Sequence, residues 1–127
     1  MRIFVNRWFQ RFAAREGIGD KSLLDAVHRA ERGLLDADLG GGVIKQRIAR
    51  SGEGRSGGFR TIILFRLGDH AFFVFGFAKS DRENISKDEL KGFRELAKEM
   101  RRFDEGQLLK ALDSESLWEL KDYEQDI

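Results

Sequence analysis

A chain of 127 residues that is 41% apolar holds enough material for one compact domain, and 23 Lys and Arg against 22 Asp and Glu leave a net charge of only +1. The absence of cysteine excludes disulfides and Cys-ligated zinc and permits a reducing compartment. The near-neutral balance argues against a general nucleic-acid coat, and the longest apolar run, Ala71 to Ala78, is far too short to cross a bilayer.

In chain order, Arg2 to Val5 fits a short strand, and a helix then runs to about Glu16 and stops at Gly17. The opening segment "MRIFVNRWFQRFAAR" is basic and amphipathic like a transit peptide, but Val5, Trp8, Phe9 and Phe12 are spaced for an ordinary core-facing helix. A second helix, opened by Asp20 or Ser22, carries Leu23, Val27, Ala30 and Leu34 at helical spacing until "DADLGGG" breaks it. Val43 to Ala49 alternates, with Val43, Lys45, Arg47 and Ala49 on one face and Ile44, Gln46 and Ile48 on the other.

Gly52, Gly54 and Gly57 then have the spacing G-x-G-x-x-G. A nucleotide loop requires a helix to leave those glycines, whereas Phe59 to Leu67 is β-branched and aromatic and reads as a strand, so the glycines form a hairpin tip. Gly68-Asp69 turns the chain into His70 to Ala78, which is apolar on both faces and suits a central strand covered on both sides. Ser86 and Glu89 spell a capping box for a helix bearing Leu90, Phe93, Ala97 and Met100. Beyond Asp104 the pattern weakens: "QLLKAL" reads as further helical turns and "SLWEL" as a short strand or docking segment. The expected fold class is α+β, a small antiparallel sheet made of a three-stranded meander and a candidate N-terminal strand, with helices packed on one face. It forms a single domain over 1–127, of which 104–127 is an acidic C-terminal extension.

Charge is segregated along the chain. Residues 43–66 hold Lys45, Arg47, Arg50, Arg55, Arg60 and Arg66 against Glu53 alone, a balance of 6 − 1 = +5, while residues 99–127 carry nine acids and four bases. The pleat puts Lys45 beside Arg47, and Arg60 in line with Ile62, Leu64 and Arg66. If those faces coincide, four cations share one surface; the competing reading is that basic edge strands guard against aggregation. His28 in a helix and His70 beside a turn do not form a histidine-pair ribonuclease site. Asp36 and Asp38 read as a solvated loop rather than a metal pair, and no metal constellation is evident.

The run "ADLGGGVIKQRIARSGEGRSGGFRTIILFRLGDHAFFVFGFAKSDRENI", Ala37 to Ile85, resembles the core of RelE-like toxins of the RelE/ParE toxin–antitoxin superfamily. The resemblance lies in the basic strand with Lys45 and Arg47, the glycine-rich tip, the "GFR" opening of the next strand, and "FAKSDREN" after the last. It implies a cytoplasmic, metal-independent endoribonuclease, with no cofactor, that enters the ribosomal A site and promotes attack of an mRNA 2′-hydroxyl on its adjacent phosphate. That chemistry needs a proton acceptor, cations for the charged phosphorane and a donor at the leaving oxygen. Carried over, the catalytic candidates are Lys45, Arg47, Arg60, Lys79 and Arg82. Lys45 takes the proton, which requires a neutral amine among cations; Arg60 clamps the anion; Arg82 contacts the leaving group or phosphate. Arg50, Arg55 and Arg66 are RNA-binding candidates. The resemblance also implies a cognate antitoxin, often a helix-turn-helix protein, and the ribosome and mRNA as partners. Many relatives place a tyrosine at the end of the site, whereas the only tyrosine here is Tyr123. Alternatives are a toxin of the gyrase-poisoning branch without nuclease activity, or an inert regulatory binding module.

Overall fold

The computed structural model describes residues 1–50 and 58–122. Its elements run β1 (Arg2–Asn6), α1 (Arg7–Glu16), α2 (Asp20–Glu31), β2 (Ala37–Gly40), β3 (Val43–Ile48), β4 (Phe59–Leu67), β5 (His70–Ala78), α3 (Lys87–Met100), α4 (Glu105–Asp113) and β6 (Leu117–Leu120). Local chemistry sets several boundaries. The Asn6 side chain accepts from the Phe9 backbone N–H and starts α1, and Gly17, at φ 69°, ends it in the left-handed region that glycine tolerates. Ser86 and Glu89 form the expected capping box of α3, and Asp104 with Gln107 forms a second one for α4.

The strands form one sheet in the order β2-β3-β4-β5-β1-β6. Strands β2 to β5 are an antiparallel meander, while β1 lies parallel to β5 and antiparallel to β6. The α+β class therefore holds, and the candidate N-terminal strand is present; the sheet is larger than the meander plus that strand, and it is mixed rather than antiparallel because β1 runs parallel to β5. Ala37–Gly40, which reads as a helix-breaking loop, pairs with β3, and Leu117–Leu120 completes the far edge on β1.

The expectation of helices on one face alone is corrected. α1 and α2 cover one face, with Phe9, Phe12, Leu23 and Val27 meeting Ile44, Ile63 and Phe73. α3 and α4 cover the other, with Ala97, Met100 and Leu108 meeting Val43, Ile62, Leu64 and Phe72. The reason is the composition of the central strands: β4 and β5 are buried at nearly every position, on both sides of the pleat. Each fully buried Phe or Leu contributes about 2 kcal/mol, so neither face could be left to water. Two details of the helical stripes also differ. Leu34 lies past the end of α2 and is 57% exposed, and Trp8, 41% exposed, stacks on Phe12 and Phe75 at one end of the sheet instead of entering the core. Among the described residues, no helix is long and apolar enough to cross a membrane.

α3 does not cover the whole of its face. It begins at Lys87, and its Phe93 packs 5.5 Å from Phe75. The next row of the sheet, Arg47–Arg60–Phe77, is met by the side chain of Arg82 from the preceding loop.

Candidate functional site

Lys45 and Arg47 point to the α3 side of β3, and the alternate residues Ile44, Gln46 and Ile48 are buried on the α2 side. Across the β3–β4 ladder Arg47 stands directly opposite Arg60, and Arg60 in turn pairs with Phe77 of β5. Side chains so placed have Cβ atoms about 5 Å apart, and like charges there oppose pairing. A buried framework holds the strand regardless. Gln46, fully buried, donates to the carbonyls of Ala26 (2.9 Å) and Leu34 (3.2 Å) and accepts from the Asp36 backbone N–H (2.8 Å). The Asp36 carboxylate accepts the Arg47 backbone N–H, and Arg29 donates to the Arg47 carbonyl at 2.7 Å while its Nε binds Asp25. The backbone of Arg47 is therefore gripped at both polar groups, and its side chain, 3.8 Å from Asp36, stays 48% exposed.

Arg60 is only 5% exposed. Burial and the facing Arg47 push its pKa down, while Asp36 pulls it back up. A guanidinium remains charged near neutral pH, so the shift reports first the loss of water around a buried charge and then the facing cation.

Arg82 is held differently. Its Nε donates to the Asn84 carbonyl at 2.9 Å, and its two terminal nitrogens bind the Glu89 carboxylate at 3.2 and 2.5 Å. The guanidinium lies over Phe77 and Phe75, 5.4 and 6.0 Å from their centroids. The Glu89 bond raises the Arg82 pKa, and Arg82 together with the Ser86 backbone N–H holds the Glu89 carboxyl down to about 2. Asn84 links this pair to the sheet, because its Oδ1 accepts from Lys45 Nζ at 3.3 Å and from the Ile85 N–H at 2.9 Å. Lys45, Asn84, Arg82 and Glu89 form a continuous chain of contacts.

The fold thus brings Lys45, Arg47, Arg60 and Arg82 to one face at one end of the sheet. Lys79 is exposed where β5 leaves it, its N–H bonded to the Gly58 carbonyl. Arg50 lies on the opposite face, its guanidinium 4.8 Å from the Phe59 ring and 3.9 Å from Glu16. Arg66 does not follow Arg60. Its φ of 55° and the register shift between Leu64 and Leu67 break the alternation, and its side chain donates to the Glu31 carbonyl beside α2. Arg55, the glycines at 52, 54 and 57, and Tyr123 lie outside the described residues.

The remaining candidates sit apart from this face. His28 bonds Asp122 at 2.8 Å, and His70 packs edge-on to Phe4 and Phe72 at the other end of the β4–β5 hairpin. Asp38 accepts from the Gly40 N–H, and among the described residues no group of three or more His, Asp and Glu could hold a metal ion. Sequence reasoning misplaced Arg66 and missed the partners of the cations that do converge. Glu89 is visible as a capping-box residue, but its grip on Arg82 is not; Asp36 reads as loop; and a fully buried Gln46 between two isoleucines carries no signal of its task.

The family model described as the RelE toxin of the RelE/RelB toxin–antitoxin system matches residues 1–120. The chain belongs to the RelE toxin family. Its role is that of a toxin in a toxin–antitoxin system, and membership implies a cognate antitoxin. No curated protein and no solved structure matches the chain.

Proposed function

We propose that the chain is a metal-independent endoribonuclease that cleaves mRNA in the ribosomal A site, acts in the cytoplasm and is silenced by its cognate antitoxin. RelE family toxins are generally endoribonucleases, and the observation that carries the reading is the like-charged pair Arg47–Arg60 with Lys45 and Arg82 on the same face. Opposed cations on neighbouring strands weaken a sheet, and an anion between them removes the conflict. A phosphate seated there is neutralised first by Arg60 and Arg47, whose attraction for it grows as the phosphorane gains charge.

Lys45, oriented by Asn84, takes the proton of the 2′-hydroxyl. The oxygen attacks phosphorus, the P–O5′ bond breaks, the leaving 5′-oxygen takes a proton from solvent while Lys45 later returns its own to solvent, and the products are a 2′,3′-cyclic phosphate and a 5′-hydroxyl. Arg82 contacts the phosphate from above Phe77, and the exposed Lys79 takes the role of the cation that meets the leaving strand. Arg50, Arg55 and Arg66 act as RNA contacts outside the reacting centre.

The test is expression of the chain alone followed by mapping of RNA ends on translating messages. Cuts at codon-linked positions that vanish in Arg60→Met, with thermal unfolding unchanged, support the proposal. Altered DNA topology with intact messages would transfer the chain to the gyrase-poisoning branch; no effect on either would leave a regulatory binding module.

A further inference from the structure

The amphipathic N-terminal segment has a polar face that the proposed chemistry does not use. α1 buries Phe9, Phe12 and Ala13 and turns Arg7, Arg11 and Arg15 outward. Spacing of i, i+4 and i+8 places the three on one stripe, about 6 Å from one to the next along the axis. Like charges at i, i+4 disfavour the helix, and Arg7 stands at the dipole's positive end, where α1 has no acid in its first turn. Burial does not require arginine at these exposed positions. The outer face of α3 shows the ordinary solution, with Asp88, Glu95 and Glu99 interleaved among Lys91, Arg94 and Lys98. Arg7 is anchored on the carbonyls of Ser114 and Glu115, and Arg15 lies 3.8 Å from Glu16 while remaining 66% exposed. Arg11 has no charged partner among the described residues.

The stripe also lies behind the candidate site. Phe12 of α1 packs edge-on to Phe59, the residue before Arg60, at 5.9 Å. α1 passes so close to β5 that a Cβ on Gly76 would stand 2.7 Å from the Phe12 ring. Lys45, Arg47, Arg60 and Arg82 face one way from this end of the sheet, and Arg11, Arg15 and Arg50 face the other.

We infer that Arg11 and Arg15 of α1 form a second RNA-backbone contact surface, by which the protein grips ribosomal RNA while the message occupies the opposite face; this rests on the ribosome-dependent reading above. A protein partner needs an apolar centre around which charges form a rim. The neighbours of this stripe are Gln10, Ala14 and the edge of Trp8, whose ring already stacks on Phe12 and Phe75. A sugar-phosphate backbone requires only spaced cations.

The experiment compares Arg11→Gln/Arg15→Gln with Lys91→Gln/Lys98→Gln, an equal charge change on α3, in equilibrium sedimentation with purified ribosomes. The α1 variant is expected to bind about 10-fold more weakly at moderate salt, with a salt slope smaller by about 1 to 2, while the α3 variant changes less than about 2-fold. The cleavage rate of the bound complex and the thermal midpoint should not fall. Equal losses in both variants, or none in either, overturn the inference, as does a loss confined to binding of the cognate antitoxin. Because binding is read without cleavage, a chain that grips ribosomes through α1 but leaves messages intact refutes the nuclease proposal alone. A chain that cuts messages and is indifferent to the α1 changes refutes only this surface.

Discussion

Arg60 and Arg82 are guanidiniums on the same face of one sheet, and the two regions that hold them work in opposite ways. The loop before α3 gives Arg82 a carboxylate of its own, Glu89, which raises the Arg82 pKa. The β3–β4 ladder buries Arg60 and sets a second cation, Arg47, opposite it, which together lower its pKa. The loop positions a charge by neutralising it. The ladder is held through its backbone, by Gln46 on the α2 side, by Arg29 on the Arg47 carbonyl and by the Asp36 carboxylate on the Arg47 N–H, and it sets two cations opposite each other. Under the nuclease proposal, the ladder is the reacting centre and the loop a supporting contact, because the Arg82 charge is already bound to Glu89 in a two-point pair.

The sharpest way to break this comparison is Arg60→Met. It should lower single-turnover cleavage by about 10²- to 10³-fold, about 3–4 kcal/mol of transition-state stabilisation, while urea unfolding shows little loss of stability because an apolar side chain replaces a desolvated guanidinium. Unchanged cleavage would remove Arg60 from the chemistry. Next, Gln46→Leu should cost about 2–3 kcal/mol in equilibrium unfolding, since the Ala26 and Leu34 carbonyls and the Asp36 N–H lose their partner. A neutral result would mean that the framework does not hold the ladder.

Glu89→Gln tests the other region. The Glu89 carboxyl is held at about 2, below its ordinary 4.5. A depressed folded pKa means that the stabilisation is complete above the unfolded value and is lost as pH falls through the folded one. The wild-type chain should therefore lose stability between roughly pH 4.5 and 2, and the variant should show a flatter slope there. Because Arg82 is 37% exposed, solvent screening keeps the loss at neutral pH small. Cleavage should fall less than in Arg60→Met. Smallest of all, Arg66→Gln should weaken ribosome binding by about 2- to 3-fold, leave cleavage in the bound complex unchanged and shift stability by less than about 0.5 kcal/mol. A large loss of cleavage would tie the Arg66 side of the sheet to the site.

Much of the fold was legible because it rests on local patterns. The capping box at Ser86 and Glu89, the Gly68-Asp69 turn and the alternation of Lys45 and Arg47 are each settled within a few residues. The extra strands at Ala37–Gly40 and Leu117–Leu120 were less legible, because four-residue segments become strands only through the partners they meet. Arg66 was misplaced for a related reason: strict alternation from Arg60 assumes an unbroken pleat, and the bulge that breaks it involves a non-glycine residue at positive φ, which no sequence signal marks.

What the sequence by itself determined was the inventory: where most helices and strands lie, that β3 alternates, and which segments concentrate positive charge. It also carried the family resemblance that the match over residues 1–120 bears out. Only the tertiary structure decided which cations confront one another, which are neutralised by the chain's own acids, and which look outward from the reverse side. Those outcomes depend on pairings across the sheet and between distant segments, Arg47 with Arg60 and Lys45 with Asn84, and energies between charges are set by separation in space rather than along the chain.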